Sequence, residues 1–267
     1  TIRTYHAATG LLTAKTYADS SHVDYTYTLD GRLETRIWAR TISGNHPNTT
    51  YVYDEDTGRL SRVTGPGLPA YGAVYLYQAN SDLVAVTEFL SDASTTRGTA
   101  TRTFEDHRDV VTDVDNYWGS TPVLVSKYHY ASDALGRRTS VVNTGTAFNP
   151  NRFTLWTYND RSELTASRRY NGTVINDTSS PVTTQQFIFD FDSIGNRQSY
   201  QGDGIEGARS YMANALNQYT VTSQPTEEFT YDADGNLTST GKHAYTYDGE
   251  NRLIVVVPIG GIQSPSD

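Results

Sequence analysis

The sequence predicts an all-β protein built as a long antiparallel strip of β-hairpins. The 267 residues include 20 Tyr and 21 Gly but one Met and no Cys, and Thr, Val, Asn and Asp stand where helix-forming runs are absent. This composition is typical of strands and turns. Pairs of aromatic residues separated by one residue recur along the chain. Most pairs precede a turn rich in Asp and Gly and then Arg-Leu or Asn-Leu, which is the pattern of a hairpin.

One repeat unit consists of an outgoing strand, a four- or five-residue turn and a return strand. In one clear copy Tyr51 and Tyr53 flank Val52, and Asp54 and Gly58 stand in the turn. Residues at i and i+2 of a strand share a face, so the two tyrosines lie on one face and the residue between them on the other. The Asp accepts a hydrogen bond from the backbone N–H two residues on, and the Gly supplies the positive φ that closes the turn. The sequence therefore predicts aromatic ladders, in which each cross-strand pair contributes roughly 0.2–1 kcal/mol.

About eleven copies follow one another along the chain, each expected to pack only on its neighbours. His6 replaces the Asp in the first copy, and the copy with Tyr75 and Tyr77 has no Gly. The strip is predicted to span residues 1–257, and residues 258–267 are predicted to be a tail or linker. The predicted structural positions are Tyr25, Tyr27, Gly31, Tyr51, Tyr53, Asp54, Gly58, Tyr128, Tyr130, Gly136, Gly195, Tyr231, Asp232, Gly235, Tyr245, Tyr247 and Asp248.

Composition excludes several classes of protein. The net charge of −9 and the pI near 5.1 argue against a nucleic-acid or anionic-membrane partner. The longest apolar run, 253–257, is far shorter than the roughly 20 residues of a membrane-spanning helix. The absence of Cys excludes disulfides and thiolate chemistry, and we expect no cofactor. Because the chain opens on Thr1 rather than Met, we expect it to be a piece of a longer protein.

Two turn-like motifs resemble ligand sites. Residues 202–207 match Gly-x-Gly-x-x-Gly, but no helical pattern follows, and Asp203 and Glu206 would repel phosphate, so we predict a loop. Residues 54–58 and 232–235 offer two or three carboxylates each, fewer oxygens than calcium needs, and we predict turn chemistry there. The six His show no metal-ligand spacing, and we predict no metal site.

Paired carboxylates are the best candidates for catalysis, because two acids flanking a groove can hydrolyse glycosides. The candidates are Asp109, Asp113 and Asp115, which would share one face of a strand, and Glu227 with Glu228. Such a row more often forms a solvated face that protects a sheet edge. We therefore predict no catalytic residue; a hydrolase would lose its activity on substitution of Asp113 or Glu227.

Aromatic faces of sheets also bind sugars by stacking. Trp38, Trp118 and Trp156 are the candidates for carbohydrate contact, although aromatics in every repeat are expected to build the sheet. Binding of carbohydrate or of a partner protein through aromatic-rich faces is therefore an alternative function, that of a cell-surface recognition module.

The C-terminal copies carry the most specific pattern. They read Ala-Asn-Ala-Leu-Asn-Gln-Tyr at 213–219, Phe-Thr-Tyr-Asp-Ala-Asp-Gly-Asn-Leu at 229–237 and Tyr-Thr-Tyr-Asp-Gly-Glu-Asn-Arg-Leu at 245–253. The chain from Thr1 to about Leu253 resembles the tyrosine-aspartate (YD) repeat of the Rhs family, bacterial Rhs proteins above all. That family also includes shell-forming subunits of insecticidal toxin complexes and the teneurins. The resemblance implies a strip that spirals or curls as part of a hollow β-shell around a toxin or other cargo polypeptide.

The resemblance also sets the expected function. It implies a non-enzymatic structural module, secreted or at the bacterial cell surface, or cytoplasmic before export, that encloses, protects or presents the cargo. Family members have an Asp-Pro-x-Gly motif where self-cleavage can release the cargo, and this chain has none. We therefore expect a wall segment without toxin or releasing machinery. Unpaired strand edges predict self-association.

Overall fold

Every regular element is a β-strand in the residues that the computed structural model describes, 1–202, 204 and 207–259. The predicted fold class, an all-β antiparallel hairpin strip, is confirmed. Most of the predicted tail lies outside the described residues, as do Asp203, Ile205 and Glu206. The strands are β1 (Ile2–Tyr5), β2 (Leu12–Thr16), β3 (His22–Tyr27), β4 (Leu33–Ile37), β5 (Asn48–Tyr53), β6 (Leu60–Thr64), β7 (Gly72–Tyr77), β8 (Val84–Leu90), β9 (Thr96–Phe104), β10 (Val111–Trp118), β11 (Val123–Ser132), β12 (Arg138–Thr144), β13 (Arg152–Tyr158), β14 (Leu164–Asn171), β15 (Pro181–Phe191), β16 (Arg197–Gln201), β17 (Arg209–Ala213), β18 (Tyr219–Thr222), β19 (Glu227–Glu228), β20 (Thr230–Tyr231), β21 (Leu237–Ser239), β22 (His243–Tyr247) and β23 (Leu253–Pro258).

The chain divides into two compact units. The first comprises Thr1–Ser132 and Val142–Asn151, the second Asp133–Val141 and Arg152–Asp267, so the residues of β12 are shared between them. In the first unit each strand from β1 to β11 pairs antiparallel with the next one in the chain. In the second unit β13 to β19 pair in the same way, and β20 to β23 form a further run.

The hairpins share a bulge beside the second aromatic residue. In β3 and β4, Tyr25 lies opposite Arg36 and Thr26 opposite Thr35, but Tyr27 lies opposite Leu33, with the register shift between Thr26 and Tyr27. The same shift precedes the second aromatic of β5, β7, β13 and β22. A bulge adds one residue on one strand and increases the local twist, so these five hairpins bend at the same place.

Few side chains are fully buried. In each unit the substantial contacts between elements join strands that follow one another in the chain, so side chains are covered mainly by their neighbours in the sheet. The buried hydrophobic residues among those described are Val23, Ala73, Leu90, Val141, Phe153, Ala166 and Tyr170. The residue between the two aromatics is exposed in several copies, and Thr26, Leu76, Thr157, Ile188 and Thr230 are examples.

The turns come in two lengths. Of the eleven repeat turns between described strands, seven contain five residues and four contain six, where the sequence predicts four or five. The fourth residue of every five-residue turn has a positive φ. Gly occupies this position in four turns, but Ser162, Asn217 and Asn251 occupy it in the others. The prediction that Gly supplies the positive φ of the turn is therefore wrong for these three copies, and in the last copy Asn251 takes the left-handed conformation instead of Gly249. Asn adopts it more readily than most residues.

Candidate functional site

The turn edge, which we define as the eleven repeat turns, contains a repeated polar network. The Oδ1 of Asp232 accepts hydrogen bonds from the backbone N–H of Asp234 (3.0 Å) and of Asn236 (2.8 Å). The sequence predicts the hydrogen bond from the N–H two residues after the Asp, here that of Asp234. The hydrogen bond from the N–H four residues after it, here that of Asn236, was not predicted. Both bonds recur at Asp133, Asp192, Asp248, Asn159 and Asn214.

The first and fifth residues of these turns complement each other chemically. Where the first is Asp, the fifth is a donor, as in the contact of Asn236 Nδ2 with Asp232 Oδ2 (3.0 Å). Where the first is Asn, the fifth is an acceptor, as for Asn214 Nδ2 and Gln218 Oε1 (2.9 Å). This complementarity was not predicted from the sequence, although it is visible there when the two positions are compared across the copies.

Two of the six-residue turns use an acceptor at the first position with a different spacing. Asp54 Oδ1 accepts from both the backbone N–H (2.8 Å) and the hydroxyl (2.7 Å) of Thr57. In the first copy His6 Nδ1 accepts from the backbone N–H of Thr9 at 3.3 Å, so an imidazole nitrogen takes the place of the carboxylate.

The second aromatic of a unit bonds to the unit before it. Tyr53 Oη donates to the backbone carbonyl of Leu33, the first residue of β4, at 2.9 Å. The ladder between β4 and β5 pairs Thr35 with Thr50 but extends no nearer to the turn, and the hydroxyl reaches an oxygen that the ladder leaves free. Equivalent bonds of 2.7–2.9 Å join Tyr27 to Leu12, Tyr77 to Leu60, Tyr158 to Arg138 and Tyr231 to Tyr219.

Removal of one of these hydroxyls is expected to weaken the junction of two hairpins. Tyr53→Phe should lower the free energy of unfolding by about 0.5–1.5 kcal/mol, the usual net value of a protein hydrogen bond. Urea unfolding followed by circular dichroism measures it. Tyr51→Phe is the matched control, because the described residues provide no hydrogen bond to the Tyr51 hydroxyl. Equal losses in the two variants would contradict the prediction.

Arginines of the turn edge join neighbouring units in the opposite sense, because each contacts the unit that follows it in the chain. Arg32 lies over the ring of Tyr53, 4.5 Å from its centroid, and its Nη1 donates to the carbonyl of Gly58 in the next turn at 2.6 Å. Arg137 likewise lies 4.8 Å from the ring of Tyr158 and donates to the carbonyl of Asn159 at 3.2 Å. Each such arginine therefore covers the tyrosine of the following unit and bonds to its turn.

The aromatic ladders predicted from the sequence are interrupted by these arginines. Continuous stacking occurs in part of the second unit, where Phe187, Phe189 and Tyr200 have centroids 5.6–6.4 Å apart. In the copies with Tyr53, Tyr77 and Tyr158 a guanidinium group lies over the ring instead, because a cation is attracted to the negative face of an aromatic ring.

The turn carboxylates are held in their charged form. Hydrogen bonds from the Asn236 side chain and backbone hold the pKa of Asp232 below its ordinary value of 3.8, and bonds from Asn196 do the same to the pKa of Asp192. A pKa lower in the folded than in the unfolded state stabilises the fold above the ordinary value, and this stabilisation is lost as the pH falls through the folded pKa.

We therefore expect the stability to fall with the pH below about 4 as these turns protonate. Titration of the carboxyl ¹³C resonances should give a pKa below 3.8 for both Asp192 and Asp232. The urea midpoint should fall over the same pH range. Titration of Asp232 at or above its ordinary value would contradict the role assigned to the turn.

The acidic row is neither continuous nor fully solvated. Asp109 lies in the turn before β10, so the prediction that it shares a strand face with Asp113 and Asp115 is wrong. Lys127 Nζ contacts Asp113 at 3.0 Å and Asp115 at 3.1 Å, and His129 Nδ1 donates to Asp113 at 2.9 Å. Burial acts to raise the pKa of Asp113, but the bonds from His129 and Lys127 outweigh it and lower that pKa. The cluster is an ion-paired surface on β10 and β11.

The other carboxylates and the motifs that resemble ligand sites do not come together in a common site within the described residues. Glu227 forms an ion pair with Lys242, while Glu228 is exposed. No group of three or more His, Cys, Asp or Glu side chains in the described residues could hold a metal ion. The glycine-rich stretch is followed by strand β17 from Arg209, where a dinucleotide motif would require a helix.

The three tryptophans lie on separate strands and differ in exposure. Trp118, at the end of β10, is 52% exposed and lies 5.9 Å from Phe89 between ring centroids. A Cβ on Gly98 would lie 2.1 Å from Trp118 Cε3, so the absence of a side chain at this position makes room for the indole. Trp38 and Trp156 are half-buried.

Comparisons with known proteins give partial similarity. No family model matches the chain. It is 31% identical over 105 residues to the tRNA nuclease WapA of Bacillus subtilis, and equally so to the tRNA3(Ser)-specific nuclease WapA of Bacillus spizizenii. Each match covers 39% of this chain but only 4% of the relative's length.

Solved structures give a wider but weaker likeness. One is the crystal structure of TcdB2-TccC3-Cdc42, at 12% identity and a TM-score of 0.33. The match covers 96% of the present chain and 19% of the chain in that crystal structure. Another is the crystal structure of TcdB2-TccC3, at 12% identity and a TM-score of 0.33. That match covers 97% of the present chain and 20% of the chain in the crystal structure. In the described part of the chain no helix is long and apolar enough to span a membrane.

Proposed function

We propose that the chain is a non-enzymatic structural module of the Rhs type, a wall segment that encloses, protects or presents a toxin or other cargo polypeptide. The proposal combines the YD-repeat pattern with the all-β hairpin strip and the partial identity to WapA. It includes a secreted or cell-surface location in a bacterium. The predicted repeat positions are its structural residues, and no catalytic or metal-binding residue is assigned.

The observation that carries the proposal is that the side chains of the repeat join each hairpin to its neighbours in the sheet. The tyrosine hydroxyl bonds to the preceding hairpin, and the arginine covers the tyrosine of the following one. The Asp oxygens are occupied by loop N–H groups. A catalytic group needs donor or acceptor capacity toward substrate, whereas these groups are already engaged in hydrogen bonds within the sheet. Side chains used in this way favour a structural role, in which each hairpin is held to the next, over a catalytic one.

Protection from proteolysis tests the proposal. The polypeptides encoded on either side of residues 1–267 are expressed with this segment and without it, and trypsin digestion is followed by mass spectrometry. We expect sites in the adjoining polypeptide to be cleaved more slowly when the segment is present. Cleavage at the same rate in both proteins would overturn the wall function.

A recognition module is the second candidate, and the exposure of Trp118 favours it. An indole that is 52% exposed offers a platform on which a pyranose ring can stack. Saturable micromolar binding of a glycan by fluorescence titration, abolished by Trp118→Ala, would support this function. An unchanged affinity in that variant would exclude this platform.

We also propose that the chain self-associates through β23. This strand pairs with β22 on one side, and Ile254, Val255, Val256 and Val257 are each 44–58% exposed. In the described residues no strand covers the other edge, and exposed apolar edges pair with other strands. Light scattering should show dimers or larger species that Ile254→Lys with Val256→Lys reduces to monomer. A wild-type chain that is monomeric at all concentrations would contradict this.

A further inference from the structure

Trp38 lies beyond the end of β4 and is fixed in place from three directions. Its backbone N–H donates to the carbonyl of Pro47 at 2.9 Å, and its Nε1 donates to Thr49 Oγ1 at 2.9 Å. His46 Nδ1 lies 3.0 Å from the Trp38 carbonyl oxygen. The indole therefore forms a rigid support at the end of this hairpin, remote from the turn edge.

Two guanidinium groups lie against this support. The Cζ of Arg36 is 3.7 Å from the Trp38 ring centroid and 5.9 Å from that of Tyr25, and the Cζ of Arg40 is 5.3 Å from Trp38. A guanidinium stacked on a ring keeps its donors in the ring plane directed outward, so stacking orients the arginine without using its hydrogen bonds. A sugar could not stack where Arg36 already covers the indole.

These two arginines differ from those of the turn edge in having no carboxylate partner. Arg32 pairs with Asp30 and Arg59 with Asp82, whereas within the described residues Arg36 and Arg40 form no ion pair. The Nε of Arg36 is buried and has no hydrogen-bond partner there.

The carboxylates of β3 and β4 have other partners, and Glu34 Oε2 accepts from Thr26 Oγ1 at 3.2 Å. Asp24 is opposite Ile37 in the register, which places it on the face away from Arg36, and it contacts His22 at 3.3 Å. Two unneutralised cations thus meet at one ring in a protein with a net charge of −9.

We propose that Arg36, Trp38 and Arg40 form a binding site for a phosphate or sulfate group. The planar fork of a guanidinium matches the oxygens of such anions, and both forks lie within reach of the same indole. Trp38 positions both arginines and makes no hydrogen bond to the anion, because its Nε1–H is already donated to Thr49. The site is independent of the wall function.

Titration of the full chain at constant ionic strength tests the site, with the arginine Nε–Hε resonances followed by NMR. The probes are inorganic phosphate, inorganic sulfate and glucose 6-phosphate, with glucose as the uncharged control. We expect a saturable shift of the Arg36 resonance with phosphate and none with glucose. Tighter binding of glucose 6-phosphate than of phosphate would identify a phosphate ester as the ligand, and equal binding would identify the free anion.

The variants separate a built site from general attraction. Arg36→Gln and Arg40→Gln should each weaken phosphate binding about tenfold to hundredfold, as expected for the loss of charge-assisted hydrogen bonds. Arg97→Gln removes the same charge from an exposed residue of β9 and should leave the affinity unchanged. Arg40 is exposed and outside any strand, so its variant tests the site even if Arg36→Gln fails to fold. A linear, unsaturable response, or equal weakening by Arg97→Gln, would overturn the proposal.

Discussion

Phe153→Ala is expected to lower the free energy of unfolding by about 3–5 kcal/mol, the range for a fully buried aromatic truncated to alanine. Phe153 is 0% exposed, and its ring stacks on that of Tyr170 with centroids 5.1 Å apart. The two residues are opposite each other in β13 and β14. Because the chain has few buried hydrophobic side chains, the cavity left by this ring removes a large share of the apolar packing of the second unit.

The loss should be local as well as large. In a repeat array each unit is stabilised mainly by its neighbours, so hydrogen exchange should accelerate most in β13 and β14. Urea unfolding gives the global change. Ile188→Ala is the control, because Ile188 belongs to the same unit but is 42% exposed, and it should cost about 1 kcal/mol or less. Equal midpoints for the two variants would contradict a core at Phe153.

The fold was predictable because its signals are local. The alternation in Tyr51, Val52 and Tyr53 determines which side chains share a face, and the turn residues mark where each strand ends. The hydrogen bond from Tyr53 to Leu33 was not predictable, since it depends on the register between two hairpins, which no pattern within one hairpin specifies. The position of Arg32 over the Tyr53 ring, which interrupts the tyrosine ladder, was not predictable for the same reason, since it also depends on the register between two hairpins.

The turn chemistry was predictable in part. Asp54, Asp232 and Asp248 stand at turn entrances as the sequence indicates, and the bond to the N–H two residues on follows from the side chain's length at Asp232 and Asp248. The role of Asn251 was missed because Gly249 competes for the same function in the sequence, and only the five-residue length of the turn decides between them. Phe153 carries no signal of burial, because its neighbours resemble those of exposed aromatics elsewhere.

Gly72→Ala is the second substitution with a large expected effect, about 2–4 kcal/mol of destabilisation. Gly72 begins β7 with a φ of +102°, a conformation that strains any residue with a Cβ. A Cβ there would lie 2.2 Å from the carbonyl oxygen of Val63 and 2.9 Å from Thr64 Cγ2. The oxygen belongs to the backbone of β6, so relief of the clash requires the two strands to separate where Val63 pairs with Ala73.

Gly67→Ala distinguishes the clash from the strain. Gly67 has a φ of +87° in the loop between the same two strands, and a Cβ there would meet nothing within 4 Å. It should therefore show the backbone strain alone, about 1 kcal/mol. Urea midpoints of the two variants, with hydrogen exchange of the amides in β6 and β7, measure the difference. If Gly72→Ala loses no more stability than Gly67→Ala, the close approach of β6 to β7 at Gly72 is not a constraint on the strip.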